Sequence, residues 1–380
     1  MPRFNWLKEI SACLLIIIIS RIIVFPGSTA FAETDETSMG VITEEELGII
    51  KALDLELTGI NQSGDHAITV NVRQTKEKSE LRVTGAVLIK APVSSFLEHY
   101  KILKLMRQIP AVKSINKIDI SNQESNFRDY AVATEELNLL KNCEIYNSKI
   151  KLCPNAINQF RNLDWDNSDA SEKANILYRR VLNGYVQRYL QYGLDGMCVY
   201  ADQDYLLHSG KESRTILEDA GLKMLMGEII SKAFLEYPVT NLDDLEELFY
   251  WKEEIYCSQR PITTLNHSLI QHQRDGDSIA VVANLQIYAN HYIEASLEQY
   301  LLIPFQNVDY ESGFILIYVN TCRFDTLRRG TFFFVKNRMK SSISKEVESR
   351  LILVRELLQE RLSDDYTVIP AKNKSHLVLE

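Results

Sequence analysis

Asn284-Leu285-Gln286-Ile287-Tyr288-Ala289-Asn290-His291-Tyr292-Ile293-Glu294-Ala295-Ser296-Leu297 is the stretch on which the fold turns. Ile279, Val281, Ala283, Leu285, Ile287 and Ala289 form an apolar series on one parity, and Asn284, Gln286, Tyr288 and Asn290 fall on the other. Successive side chains of a strand point to opposite faces, so this period of two predicts a half-buried strand. The polar parity carries amides and a phenol rather than Lys and Glu. Such a face suits a recognition surface or a polar-lined cavity better than open solvent. Gln286 and Tyr288, assigned to one parity, are the first candidates for a site.

Outward from this stretch, strands are predicted over 261–273 and 278–289. Arg274-Asp275-Gly276-Asp277 joins them, and Asp-Gly is a strong hairpin signal. Further strands are expected over 292–302, 313–322 and 330–336. The chain then offers a long helix over 341–363, with Ile343, Val347, Leu351, Val354, Leu358 and Leu362 in one apolar stripe. Before the quoted stretch, strands are expected over 67–76, 81–89, 112–120 and 127–134, with Pro92 opening a helix. Between the two runs of strands the spacing turns helical over 154–160, 169–192, 213–222, 225–237 and 242–251. Gly193 closes the longest of these helices.

The N-terminus predicts export. Arg3 and Lys8 precede a mostly apolar run, and Ala30-Phe31-Ala32 has the small-x-small pattern of a cleavage site. The run is short for a membrane span and is broken by Arg21; an uncleaved anchor is the alternative. Beyond the leader, Thr43-Glu44-Glu45-Glu46 is a capping box for a short helix. Losing Arg3, Lys8, Arg21 and Glu9 takes the formal charge from −9 to about −11. An acidic chain without a basic block excludes nucleic acid as the expected partner. Cys143, Cys153, Cys198, Cys257 and Cys322 remain; Cys143 and Cys153 are the pair placed for a disulfide, with two reduced thiols as the equal alternative.

Val83-Thr84-Gly85-Ala86-Val87-Leu88-Ile89-Lys90-Ala91-Pro92 at the front and the helix over 341–363 at the back resemble the START-like, or helix-grip, superfamily. That resemblance implies an α+β fold: a curved antiparallel sheet gripping a long C-terminal helix, with an elongated cavity between them. The organisation expected is a signal peptide over 1–32, domain strands over 33–134, a mostly helical insertion over 135–255, and the completing strands and helix over 256–380. Tyr250-Trp251-Lys252-Glu253, Leu265-Asn266-His267, Gln286 to Tyr292, Tyr318-Val319-Asn320 and the Cys143 to Ile157 segment also resemble a group of exported bacterial proteins of unassigned function.

No GxSxG is present, and Leu207-His208-Ser209-Gly210 lacks the strand-to-helix context of a nucleophile elbow. Glycine-rich phosphate loops are missing as well. His267 and His272 differ by an odd number and cannot both join His291 on one face, so no metal and no cofactor is expected. What remains is a ligand pocket of Trp251, Glu253, His267, Gln286, Tyr288, Tyr292 and Asn320, with Arg323 or Lys252 as a charge for an anionic head group. The function expected is non-catalytic binding of a hydrophobic or amphipathic, lipid-like molecule outside the cytoplasm, with contact to a membrane surface. The alternatives are an enzyme using His267 and Glu253 as a proton-transfer pair, and a structural or partner-binding envelope protein.

Overall fold

The computed structural model describes residues 68–122, 126–239, 242–255, 260–274, 278–307, 310–330 and 333–365. The expected leader and the helix after Thr43 lie outside them. Ten strands are described: β1 (Ile68–Gln74), β2 (Glu80–Ile89), β3 (Val112–Lys117), β4 (Val199–Tyr200), β5 (Leu207–His208), β6 (Glu246–Glu254), β7 (Ile262–Gln271), β8 (Ala280–Ala289), β9 (Ile293–Asn307) and β10 (Tyr310–Phe324). Eight of them form one antiparallel sheet in the order β1-β2-β10-β9-β8-β7-β6-β3, and β4 pairs with β5 apart from it. The fold is therefore α+β, built around a large antiparallel sheet.

Helices cover this sheet on both faces. On one lie α3 (Thr134–Lys141), α4 (Pro154–Arg161), α5 (Ala170–Tyr192), α6 (Ser209–Leu217) and α7 (Ala220–Glu236). Tyr178, Val186, Leu222 and Phe234 from these helices pack with Leu265, Leu269, Val281, Leu285 and Ile317 of the sheet. On the other lie α1 (Val93–Lys101), the short α2 (Lys104–Arg107) and the terminal α9 (Phe333–Asp365). Phe96, Leu97, Val347, Leu351 and Val354 there meet Val87, Ile270, Val282 and Leu316. A last short helix, α8 (Asp325–Arg328), follows β10.

Every position of β7 and β8 is buried as a result. The quoted stretch is a strand, but its alternation separates two buried environments instead of core from solvent. Gly85 on β2 shows how closely the terminal helix approaches. A Cβ there would stand 2.8 Å from Leu351 Cδ1 and 3.3 Å from the Thr69 carbonyl oxygen.

Three sequence expectations are corrected. Residues 242–251, expected as helix, contribute β6, because β3 and β7 hydrogen-bond to it from either side. The helical layer thus ends with α7, ahead of the expected limit at 255. Residues 127–134 form a turn leading into α3, and of the strand expected over 330–336, Gly330 is a turn residue and 333–336 belong to α9. The 225–237 helix belongs to α7, which breaks its helical geometry at Gly227 (φ 82°). Among the described residues no helix is long and apolar enough to cross a membrane.

Candidate functional site

The seven candidate residues do not share a face. A register shift in the β7–β8 pairing decides this: Leu265 lies opposite Tyr288, and Asn266 lies opposite Gln286. Ile287 is the extra residue, so two residues of β8 are spent against one step of β7, and a bulge of this kind re-aims the side chains beyond it. Tyr288 turns to the helical layer while Gln286 keeps the terminal-helix face. The single parity assigned to them from sequence is thereby corrected.

On the helical side Trp251 and Tyr288 are core. The Trp251 indole donates to the Asn126 carbonyl at 3.0 Å, and its ring meets Tyr130 edge-on at 5.3 Å. The Tyr288 hydroxyl donates to the Lys151 carbonyl at 2.7 Å, with the Tyr185 ring at 4.7 Å. His267 stacks on Phe249 at 4.2 Å, and its Nδ1 lies 2.9 Å from the Tyr189 hydroxyl. Its Nε2 lies 3.0 Å from Glu247. Burial holds the imidazole below its ordinary pKa, against the raising influence of Glu247, and so favours the neutral ring.

Glu253 is not the partner of His267. Thr263 sits opposite Glu253 and Phe249 opposite His267, which sets the two apart by roughly 13 Å of strand. Burial, and secondarily the charge of Glu136, push the Glu253 carboxyl above the usual carboxylate range. The expected His267–Glu253 proton-transfer pair therefore lacks its geometry. Tyr292 occupies the β8–β9 turn with φ 57°, and its carbonyl accepts the Asp325 N–H at 3.0 Å. Arg323 is committed to Glu80 at 2.9 Å and to Glu212, across the sheet from Asn320.

The terminal-helix face holds a different constellation. Ser268 donates its one proton to Asn284 Oδ1 at 3.0 Å, so the Tyr100 hydroxyl, 2.9 Å away, donates to Ser268. The Asn284 amide in turn points to Glu298 Oε2 at 3.5 Å. From the opposite direction Ser296 donates to Asn320 Oδ1 at 2.9 Å, Asn320 to the Tyr318 hydroxyl at 3.3 Å, and Tyr318 to Glu298 Oε1 at 2.8 Å. Two donor chains from four strands and one helix converge on one buried carboxylate.

Next to Tyr100 and Tyr318 is a small cavity of about 30 Å³, walled by Phe96, Tyr300, Leu316, Leu351 and Val354. That volume is room for about one water. Arg350 of α9 also lines it, and its guanidinium meets Glu254 at 3.0 Å and Glu346 at 3.1 Å; Lys252 joins Glu254 at 2.8 Å. Gln286 and Asn320 belong to this face, and Trp251, Glu253, His267 and Tyr288 to the other.

Sequence reasoning missed Tyr100, Ser268, Glu298, Glu254 and Arg350. Glu298 could have been found, since it shares strand parity with Ser296 and Tyr300 in a stretch whose period of two continues that of the preceding strand. Of the two readings of Cys143 and Cys153, the structure has the reduced one: Cys143, Cys153, Cys198 and Cys322 are all free thiols, and Cys257 lies outside the described residues. Cys143 is buried with its thiol toward the Ile157 carbonyl of α4, whereas Cys153 caps the start of that helix and meets Tyr185. Among the described residues no three His, Cys, Asp or Glu side chains are grouped to hold a metal ion. The chain matches no protein-family model, and no curated protein matches it significantly.

Proposed function

We propose that this protein binds an amphipathic, lipid-like small molecule without catalysis, between the sheet and the terminal helix. The observation that carries the reading is the convergence of the Tyr100–Ser268–Asn284 and Ser296–Asn320–Tyr318 chains on Glu298, beneath a layer that is otherwise apolar. A head group with hydrogen-bonding capacity would exchange with Tyr100 and Tyr318, and an apolar chain would lie along Phe96, Leu316 and Val354. Ligand sites of this type enclose about 300 Å³ or more, so the small cavity represents the closed form. Uptake requires α9 to shift from β2, displacing Leu351 and Val354. Gln286 and Asn320 lie on the same face of the sheet, and Asn320 takes part in the proposal as a link of one of the two donor chains.

The START-like resemblance is part of the proposal. It is supported by strands from before and after the helical layer joining one sheet, with the terminal helix laid over it. The leader-like residues 1–32 support a place outside the cytoplasm, where a membrane surface would supply the ligand.

The test is organic extraction of the purified, leader-free protein followed by mass spectrometry, with titration by a fluorescent long-chain fatty acid. One amphipathic molecule per chain should co-purify. Asn284→Leu should weaken the titration about tenfold or more, about 1.4 kcal/mol. An empty extract together with equal titrations of wild type and Asn284→Leu would sink the proposal.

A further inference from the structure

We propose that Cys153 and Cys198 form a redox-active dithiol, a modification site on the helical layer that hydrogen peroxide or an exchangeable disulfide converts to an intramolecular disulfide. The site is built from three segments. Cys153 is the N-cap of α4, where the first backbone N–H groups have no helical partner, and Pro154 removes one of them. The Cys153 N–H donates to the Tyr185 hydroxyl at 3.1 Å, and that hydroxyl donates back to Cys153 Sγ at 3.5 Å. The segment of Cys198 is drawn alongside by the Ala201 N–H to Leu152 carbonyl bond at 3.0 Å. Ser209 then fixes the Cys198 carbonyl with its hydroxyl at 2.6 Å.

These bonds set the two cysteines on adjoining segments beside Tyr185, and their thiols are not equivalent. Donation from Cys198, then from Tyr185 and the Ala156 N–H, lowers Cys153 to about 6, whereas burial raises Cys198. Cys153 is half-buried, while Cys198 is buried behind it. Cys143, by contrast, is pushed up to about 11 by burial. Cys153 is thus the attacking thiolate at neutral pH and Cys198 the resolving thiol.

With peroxide the Cys153 thiolate attacks one oxygen, the O–O bond breaks, and the departing hydroxide takes a proton to become water. The resulting sulfenic acid is attacked by the Cys198 sulfur. The S–S bond forms as the S–OH bond breaks, and a second water leaves with the Cys198 proton. Two electrons pass from the two thiols to one peroxide.

The test uses the full, reduced chain treated with stoichiometric hydrogen peroxide. Peptide mass mapping without reductant should find Cys153 joined to Cys198, with the loss of two hydrogens. In Cys198→Ser the reaction should stop at a Cys153 sulfenic acid that dimedone traps, while Cys143→Ser should oxidise like wild type. Iodoacetamide should modify Cys153 with a midpoint near pH 6. Tyr185→Phe, which keeps the ring, should move that midpoint upward. A wild-type midpoint at the ordinary thiol value of about 8.5, or a cross-link from Cys153 to any other cysteine, would overturn the assignment.

Discussion

His267 is the residue whose chemistry is most tightly set by its neighbours. It is enclosed by Phe234, Tyr237 and Phe249, and burial lowers its folded pKa beneath the ordinary 6.5. The unfolded chain then binds the proton more readily, so stability rises with pH through the window between the two values. The contribution is fully present above about pH 6.5 and is lost as pH falls toward the depressed folded value. Urea midpoints at pH 7.5 and 5.5 should therefore differ more for wild type than for His267→Phe. An equal pH dependence in the two proteins would show that Glu247 stabilises the imidazolium enough to cancel the desolvation. Glu253 works with the opposite sign, since its raised folded pKa costs stability as pH climbs above the ordinary 4.5. At this scale much of the chemistry was legible: the parity of Asn284 and Gln286, and the opposition of Asn320 and Arg323 on β10. Tyr288 was not, because the bulge at Ile287 is a property of the β7–β8 register and not of β8 alone.

Among the elements, β2 and α9 offer a direct test of layer packing. Gly85→Ala would force its Cβ against the buried Leu351, which is 3 % exposed and held by Val347 and Val354. Overpacking of this kind costs about 1–3 kcal/mol. Chemical denaturation should register the loss. Combining Gly85→Ala with Leu351→Ala should cost less than the sum of the two, and strict additivity would mean the helix is held elsewhere. β6 explains why some elements resisted reading. Leu242, Leu245 and Phe249 recur at helix-like intervals, and local periodicity alone favoured a helix there. Hydrogen bonds from β3 and β7, each remote in sequence or set by a loop, override it. α5 was legible to within a residue because its stripe of Ala174, Tyr178, Val181, Tyr185 and Tyr189 and its Gly193 stop are local signals.

Across the whole molecule a partly buried set of charges ties the helical layer to the ends of the strands. Lys151, 3 % exposed, meets Asp202 at 3.2 Å and Asp325 at 3.3 Å. Arg328 joins Glu294 and Glu212, and Arg323 joins Glu212 and Glu80. Lys151→Met would leave two carboxylates without their cation, a loss of about 3–5 kcal/mol. Its urea midpoint should fall sharply, and 1 M salt should not restore it, because buried pairs are weakly screened. A change under 1 kcal/mol would mean that water already reaches the pair. No sequence signal announced this network, since its members come from six separate segments. The two-sided cover of the sheet was hidden for a related reason: alternation reports that two faces differ and leaves open what lies against either.

The place of β10 in the sheet also governs when the molecule can be finished. Glu80 on β2 and Arg323 on β10 are 243 residues apart, yet they are bonded neighbours. Until β10 is available the β1–β2 hairpin has no seat in the sheet, and one edge of β9 is open. Pairings this distant make folding slow and place its decisive step late. A chain so arranged stays incomplete until its last long strand has been made, so its two ends close the sheet together.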